Sequence, residues 1–151
     1  MARKTPVPKA AYVYVARDGA GIYKIGATCN PERRALDLGY GDSWVTRPVT
    51  IVAKWHRPND ARAVEQTALR LMEAEPVRGL EWFSVDSAIV LETVAMAIVL
   101  VDNGRRLKQQ VSVRRWRRER MTVRAIAERV KDEFGVAVSH TTIANYTKTK
   151  R

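Results

Sequence analysis

A chain of 151 residues is long enough for one ordinary hydrophobic core, or for one core with a small second unit. Its net charge of +11 is unevenly placed, because residues 1–104 contribute +1 and residues 105–151 contribute +10. A near-neutral body with a basic end is typical of a nucleic-acid binder, and the apolar residues of that end argue against a disordered solubilising tail.

The sequence predicts a cytoplasmic protein, away from membranes. Residues 1–10 are basic and proline-containing with no apolar stretch behind them, so we expect a flexible basic arm rather than a signal peptide. The most apolar run, residues 88–101, is interrupted by Glu92, is short for a membrane span and is typical of a buried helix. The single cysteine, Cys29, excludes an internal disulfide and is expected to serve packing.

Residues 11–104 predict one small α+β domain with the element order β-β-α-β-α-β-α. Alternating Val and Tyr over residues 11–17, a turn at 18–21 and a returning strand over 22–27 predict a β-hairpin. The other predicted elements are a helix capped by Asn30 that runs from Pro31 to about Leu38, a strand over 49–55, a helix capped by Asp60 and ending near Ala74, an extended piece over 81–85, and an apolar helix that starts after Asp86 and ends near Gly104.

Residues 105–151 predict an all-α DNA-binding unit, in which 105–110 form a polar bridge and 112–120 a first helix. Apolar residues at helical spacing from Val123 to Phe134 predict a second helix, capped by Thr122 and ended by Gly135. Ser139 begins a third helix through about Lys148, and residues 122–146 resemble the helix-turn-helix of transposases and phage DNA-binding proteins. The alternative is a basic helical hairpin that contacts another protein.

In a helix-turn-helix the second helix of the motif enters the major groove. Ile143 lies on the opposite side of that helix and is expected to face the core, together with Val113 and Trp116 of the first helix. Arginines of the first helix would lie along phosphates, and polar residues of the last helix would face base edges. The candidate DNA-binding residues are Arg114, Arg115, Arg117, Arg118, Thr141, Thr142, Asn145 and Lys148.

Three segments of the first domain carry its chemistry: YVYVA at residues 12–16, KIGATCNPERR at 24–34, and the helix of Glu65 followed by EWF at 81–83. Their order and the eight-residue spacing from Gly26 to Arg34 resemble the GIY-YIG nuclease superfamily, in its phage and bacterial branch with a KIG second motif. This resemblance implies a bacterial or phage-infected host cell. The literal string GIY at residues 21–23 directly precedes KIG, which is too close for the first motif. Tyr14 therefore aligns with the tyrosine of that motif.

The resemblance implies the catalytic set Tyr14, Lys24, Arg34 and Glu65, with Mg²⁺ or Mn²⁺ held by Glu65. Tyr14 would act as general base or orient a water, a neighbouring Lys24 ammonium would favour its phenolate, and Arg34 would bind the scissile phosphate. Strand alternation puts Tyr14 and Lys24 on one face of the sheet if the valines and Ile25 face the core.

Glu65 stands out without any resemblance, because its helical neighbours Ala61, Ala68, Leu69 and Met72 are apolar. A carboxylate in an apolar stripe is costly unless a cation or hydrogen bonds compensate it. A metal ion or a structural arginine would do so, and the resemblance favours the metal. The two histidines have no metal-ligand spacing around them and are assigned no chemistry.

Two functions follow. The first is a Mg²⁺-dependent DNA endonuclease that hydrolyses phosphodiester bonds of double-stranded DNA and is directed by the helix-turn-helix, with a dimer on DNA as one possible state. The second is a catalytically weak or inactive DNA-binding regulator or architectural protein, since Lys24 replaces the second-motif tyrosine, Tyr12 the first glycine, and Leu69 a histidine common in the branch. A third class, RNA binding, would more often show exposed aromatics on a sheet face.

Overall fold

The computed structural model describes residues 9–41, 43–72, 74–79 and 81–148, so most of the expected N-terminal arm lies outside the described residues. The fold is α+β, as predicted, and the first seven elements follow the predicted order. The elements are β1 (Tyr12–Arg17), β2 (Tyr23–Thr28), α1 (Pro31–Gly41), β3 (Thr50–His56), α2 (Ala61–Leu71), β4 (Trp82–Phe83), α3 (Ser87–Arg118), α4 (Val123–Phe134) and α5 (His140–Thr147).

The four strands form one antiparallel sheet in the order β3-β1-β2-β4. In the β1–β2 hairpin Tyr14 lies opposite Gly26, and Ala16 lies opposite Lys24. Residues opposite each other in an antiparallel pair point to the same face, and every second residue along a strand returns to that face. Tyr14 and Lys24 therefore share a face, as the alternation predicted.

The two faces of the sheet bury different residues. Val13, Val15 and Ile25 pack in the larger core, against small and β-branched side chains of α2 and α3. Tyr14 lies on the opposite face, in a smaller cluster. That cluster also contains Ala16, Leu38, Val45 and Trp82.

One helix end and one helix cap depart from the prediction. Gly104 was expected to end the apolar helix, but α3 continues to Arg118, so the expected bridge and the separate helix over 112–120 are its second half. An interior glycine costs a helix only about 1 kcal/mol, and the ion pair between Asp102 and Arg105 spans it at 3.0 Å. Asp60 precedes α2 but makes no capping bond with its side chain, because its carboxylate binds Arg57.

α3 is buried on one side only, which corrects the expectation of a buried helix. Val90, Val94 and Ala97 are fully buried, whereas Met96 and Val99 are each 57% exposed. By length and composition α3 is also the one described helix that could cross a membrane, with a mean hydropathy of 1.6 in its most apolar window. This is weak evidence, since core helices pass the same test.

The chain divides into two compact units, Met1–Val101 and Asp102–Arg151. In the second unit Val113, Trp116, Ile126, Val130 and Ile143 form a fully buried core, which confirms the predicted inward residues. The side chains of the predicted caps Thr122 and Ser139 accept hydrogen bonds from backbone N–H groups of α4 and α5. Gly135 ends α4 with a φ of 66°, a conformation that favours glycine.

Candidate active site and basic surface

The four residues predicted to be catalytic line one open cleft of about 370 Å³ in the first unit. Tyr14 comes from β1, Lys24 from β2, Arg34 from α1 and Glu65 from α2. Sequence positions up to 51 residues apart thus converge on one site. Cys29 was expected to serve packing, but it is exposed and lines the same cleft, since it lies beyond the end of β2.

The cleft forms where one edge of β2 has no neighbouring strand among the described residues. β4 pairs with β2 only at Tyr23 and Lys24. Along this edge the N–H of Ile25 donates to the Glu81 carbonyl oxygen, and two residues further the N–H of Ala27 donates to Glu65 Oε1 at 3.0 Å. The Glu65 carboxylate therefore replaces the missing strand as the acceptor for a buried backbone N–H.

Glu65 is buried, and its two oxygens have different partners. Oε1 accepts from Ala27, while Oε2 accepts from Arg62 Nη1 at 3.1 Å. The Arg62 side chain is 66% exposed and lies one turn earlier on the same helix, so the pair is open to solvent on the arginine side. The structural-arginine alternative is thus present in the structure, together with a backbone partner that the sequence did not indicate.

The donor set also fits a divalent cation. An ionised carboxylate has about four lone-pair sites, and the two bonds described for Glu65 use only two of them. Mg²⁺ is commonly bound through one or two carboxylates, with water and phosphate oxygens in its other positions. Within the described residues no cluster of three or more His, Cys, Asp or Glu side chains is placed to hold a metal, so Glu65 would be the principal protein ligand.

The glycine of the KIG motif is explained by Tyr14. Tyr14 is 1% exposed, and its phenol ring lies across Gly26 on the neighbouring strand. A Cβ at Gly26 would overlap both the ring and the hydroxyl of Tyr14. Position 26 must therefore be glycine to leave room for the Tyr14 ring. This requirement depends on the register of the hairpin, so sequence reasoning did not identify it.

The protonation of Tyr14 is set by burial and by two arginines. Burial raises the pKa of Tyr14 above its ordinary value, and the nearby Glu65 charge acts in the same direction. Arg34, which is hydrogen-bonded to the phenol, and Arg62 act in the opposite direction and do not reverse the shift. The phenol is therefore protonated at neutral pH in this structure.

Lys24 is buried beside an acidic and an aromatic partner. It is 4% exposed and forms an ion pair with Glu81, and its ammonium lies 5.8 Å from the centre of the Trp82 ring. Arg34 and Arg62 lower the pKa of Tyr14, and that Lys24 also favours its phenolate stays a prediction.

Arg34 stands at the mouth of the cleft. Pro31 begins α1, and Asn30 Oδ1 accepts from the N–H of Arg33 at 3.0 Å, which confirms the predicted cap. The exposed Arg34 lies on the first turn of this helix and contacts Tyr14. A guanidinium that is exposed on one side and fixed to a buried phenol on the other suits an anionic ligand.

Residues 11–98 match the family model of the T5orf172 domain. The chain belongs to the T5orf172 domain family. This phage-associated domain is related to the GIY-YIG and HNH-like nucleases, although no GIY-YIG model itself matches. No curated protein and no solved structure matches the chain. The T5orf172 match includes the four predicted catalytic residues of the cleft, Tyr14, Lys24, Arg34 and Glu65.

Outside the T5orf172 match, the second unit has a concave basic surface, which encloses an open pocket of about 990 Å³. Five of the eight predicted DNA-binding residues line it: Arg114, Arg117, Arg118, Asn145 and Lys148. The other three, Arg115, Thr141 and Thr142, are not among its lining residues.

Several of these side chains also have structural partners. Arg114 Nε donates to the Tyr146 carbonyl oxygen at 2.8 Å and so ties α3 to α5. Arg117 donates to the Met121 carbonyl oxygen at 3.0 Å. The Thr142 hydroxyl lies 2.9 Å from the Ser139 hydroxyl and belongs to the helix cap, whereas Thr141 and Asn145 are exposed.

Proposed function

We propose that the protein is a DNA endonuclease whose T5orf172 domain hydrolyses phosphodiester bonds with Mg²⁺ or Mn²⁺, and whose C-terminal helices bind double-stranded DNA as a helix-turn-helix. The observation that carries this proposal is the convergence of Tyr14, Arg34 and Glu65 in one cleft. Membership of a domain family related to nucleases supports it.

Each cleft residue has a role that its contacts support. Arg34 would bind a non-bridging phosphate oxygen, because its guanidinium is exposed at the cleft mouth. Tyr14 would hold a proton on its phenol oxygen and orient a water, and it would accept a proton as a base only after losing its own. Lys24 and Glu81 position β2 and the chain before β4.

Glu65 would hold the divalent ion through the lone pairs that Ala27 and Arg62 do not use. When bound, such an ion supplies positive charge that stabilises the additional negative charge of the transition state. A single site of this kind cuts one strand, so a double-strand break would need two protomers or two successive cuts.

A DNA-binding regulator or architectural protein is the second candidate, and two observations favour it. The ion pair with Arg62 competes with a metal for Glu65, while burial keeps the Tyr14 phenol protonated. A chain with these features and a basic second unit could bind DNA without cutting it.

Supercoiled plasmid distinguishes the two functions. We expect the full chain to convert it to nicked circles in the presence of Mg²⁺ or Mn²⁺, and not in EDTA. DNA binding is measured in parallel in EDTA by mobility shift. Binding without cleavage under both metals would contradict the nuclease proposal and support the regulator.

A further inference from the structure

The T5orf172 domain exposes two aromatic rings, each of which is held by an arginine. Tyr40, near the end of α1, is 73% exposed, and the Arg47 guanidinium carbon lies 4.6 Å from its ring centre. Trp44, in the loop after α1, is 44% exposed, and the Arg78 guanidinium carbon lies 5.5 Å from its ring centre. Both arrangements are cation–π contacts, and they leave a large part of each ring open.

The loop that carries Trp44 and Arg47 is fixed to the hairpin turn. Val45 is 6% exposed and packs in the smaller core. The N–H of Thr46 donates to Asp18 Oδ2 at 3.3 Å, and Arg78 donates to the same oxygen at 2.9 Å. Aromatic rings on an anchored loop lose little conformational entropy on binding, so they are preorganised for a flat ligand.

Asp18 remains charged in this arrangement. Burial opposes its ionisation, but hydrogen bonds from the N–H groups of Ile22 and Thr46, from Arg78 and from the N–H of Ala20 together lower its pKa below the ordinary value. The Asp18 carboxyl that anchors the aromatic loop is therefore ionised at neutral pH, at which we expect DNA to bind.

The Trp44 ring is connected to the cleft through Trp82. The Trp44 ring meets the Trp82 ring edge to face, with 6.3 Å between ring centres. The Lys24 ammonium, which lines the cleft, lies 5.8 Å from the centre of the same Trp82 ring. Two successive contacts thus join Trp44 to the site where a phosphate would bind.

We propose that Tyr40 and Trp44 form a stacking platform for unpaired bases of the DNA strand whose phosphate occupies the cleft. Bases stack on aromatic rings with little sequence preference, and the charge of Arg47 suits a neighbouring phosphate. The substrate class is then DNA with unpaired or splayed nucleotides beside the scissile bond, such as a flap, a gap or a mismatch. This inference rests on the proposed function.

The test compares binding of the full chain to two single-stranded probes of about 20 units: oligodeoxythymidine, and an abasic oligonucleotide with the same phosphates. We expect the first to bind at least about fivefold more tightly by fluorescence anisotropy, because each stacked base contributes to affinity. Tyr40→Ala with Trp44→Ala should remove this preference and leave abasic binding unchanged, whereas Tyr40→Phe with Trp44→Phe should keep most of it. Leu36→Ala is the matched control, since Leu36 lies on the same helix and is 59% exposed but has no ring.

Equal binding of both probes by the parent chain would overturn the platform, and so would an alanine pair that keeps the preference or weakens both probes equally. The assay is run in EDTA and needs no cleavage. A base preference that depends on the two rings, in a protein that does not cut plasmid, would support the platform and contradict only the nuclease.

Discussion

The charged side chains in the cleft of the first unit and on the basic surface of the second differ in their partners. In the cleft the buried charges are matched locally: Glu65 pairs with Arg62, and Lys24 pairs with Glu81. On the basic surface Arg114 and Arg117 donate to neutral carbonyl oxygens, which do not cancel their charge. Matched buried charges fix geometry, whereas uncancelled exposed charges attract phosphates and release counterions. Substitutions in the cleft should therefore alter chemistry, and those on the basic surface should alter affinity.

The largest expected effect divides these two roles. A chain that ends after Asn103 keeps Val90, Val94 and Ala97 in the first core but loses nearly all of the excess positive charge. We expect a folded T5orf172 domain whose affinity for double-stranded DNA is at least about 10³-fold lower than that of the whole chain. Mobility shifts at several salt concentrations, with circular dichroism to check folding, measure this. Equal affinity of the two chains would remove the division of labour.

The next effect concerns the proton on Tyr14. Because burial raises the pKa of Tyr14, its phenolate is scarce at neutral pH and becomes more abundant as the pH rises. If Tyr14 acts as a base, the cleavage rate should rise with pH through the neutral and alkaline range. Tyr14→Phe should lower the rate by about 10²- to 10⁴-fold and flatten the profile. A phenylalanine variant with the parent slope would assign the pH dependence to another group.

A smaller effect tests the packing under the cleft. Gly26→Ala should place a methyl group inside the Tyr14 ring, so we expect it to destabilise the domain by about 1–3 kcal/mol and to displace the phenol. Gly41→Ala is the matched control, since a Cβ there meets nothing within 4 Å. Thermal melting measures both variants. If they melt alike, Tyr14 does not require the glycine.

The smallest expected effects distinguish residues of the basic surface that would contact bases from residues that would contact phosphates. Asn145 is exposed on α5, so Asn145→Ala should cost about 1–3 kcal/mol at a preferred site and relax the preference at one base. Arg117→Ala should weaken binding to all sequences alike and reduce the salt slope by about one unit. Selection from a random DNA pool with each variant distinguishes them, and an identical response would contradict the groove assignment.

Features with local causes could be predicted from the sequence. The hairpin, the caps at Asn30, Thr122 and Ser139, and the apolar stripe of α4 depend on residues within a few positions of one another. The continuity of α3 could not be predicted from the Asn-Gly pair at residues 103–104, because that stop signal is weak within an otherwise uninterrupted helix. The missing cap at Asp60 has a similar cause, since Arg57 binds the carboxylate instead.

The members of the cleft could be proposed from the motifs, but their contacts could not. That Glu65 accepts from Ala27 depends on where β4 ends, and that Arg34 acts on Tyr14 depends on how α1 packs against the hairpin. The exposure of Tyr40 and Trp44 depends on the course of the loop after α1, for which the sequence offered no pattern.

The most direct test of catalysis in the cleft is plasmid cleavage by Glu65→Gln, with the exposed Glu75→Gln as control. The glutamine keeps an oxygen that can accept from the N–H of Ala27 and loses only a half-exposed ion pair. The free energy of unfolding, measured by thermal melting, should therefore change by no more than about 1 kcal/mol. We expect this variant to bind DNA as the parent does and to lose metal-dependent cleavage, while Glu75→Gln cuts normally. A stable Glu65→Gln variant that cuts plasmid at the parent rate would contradict the assignment of the metal-dependent site to Glu65.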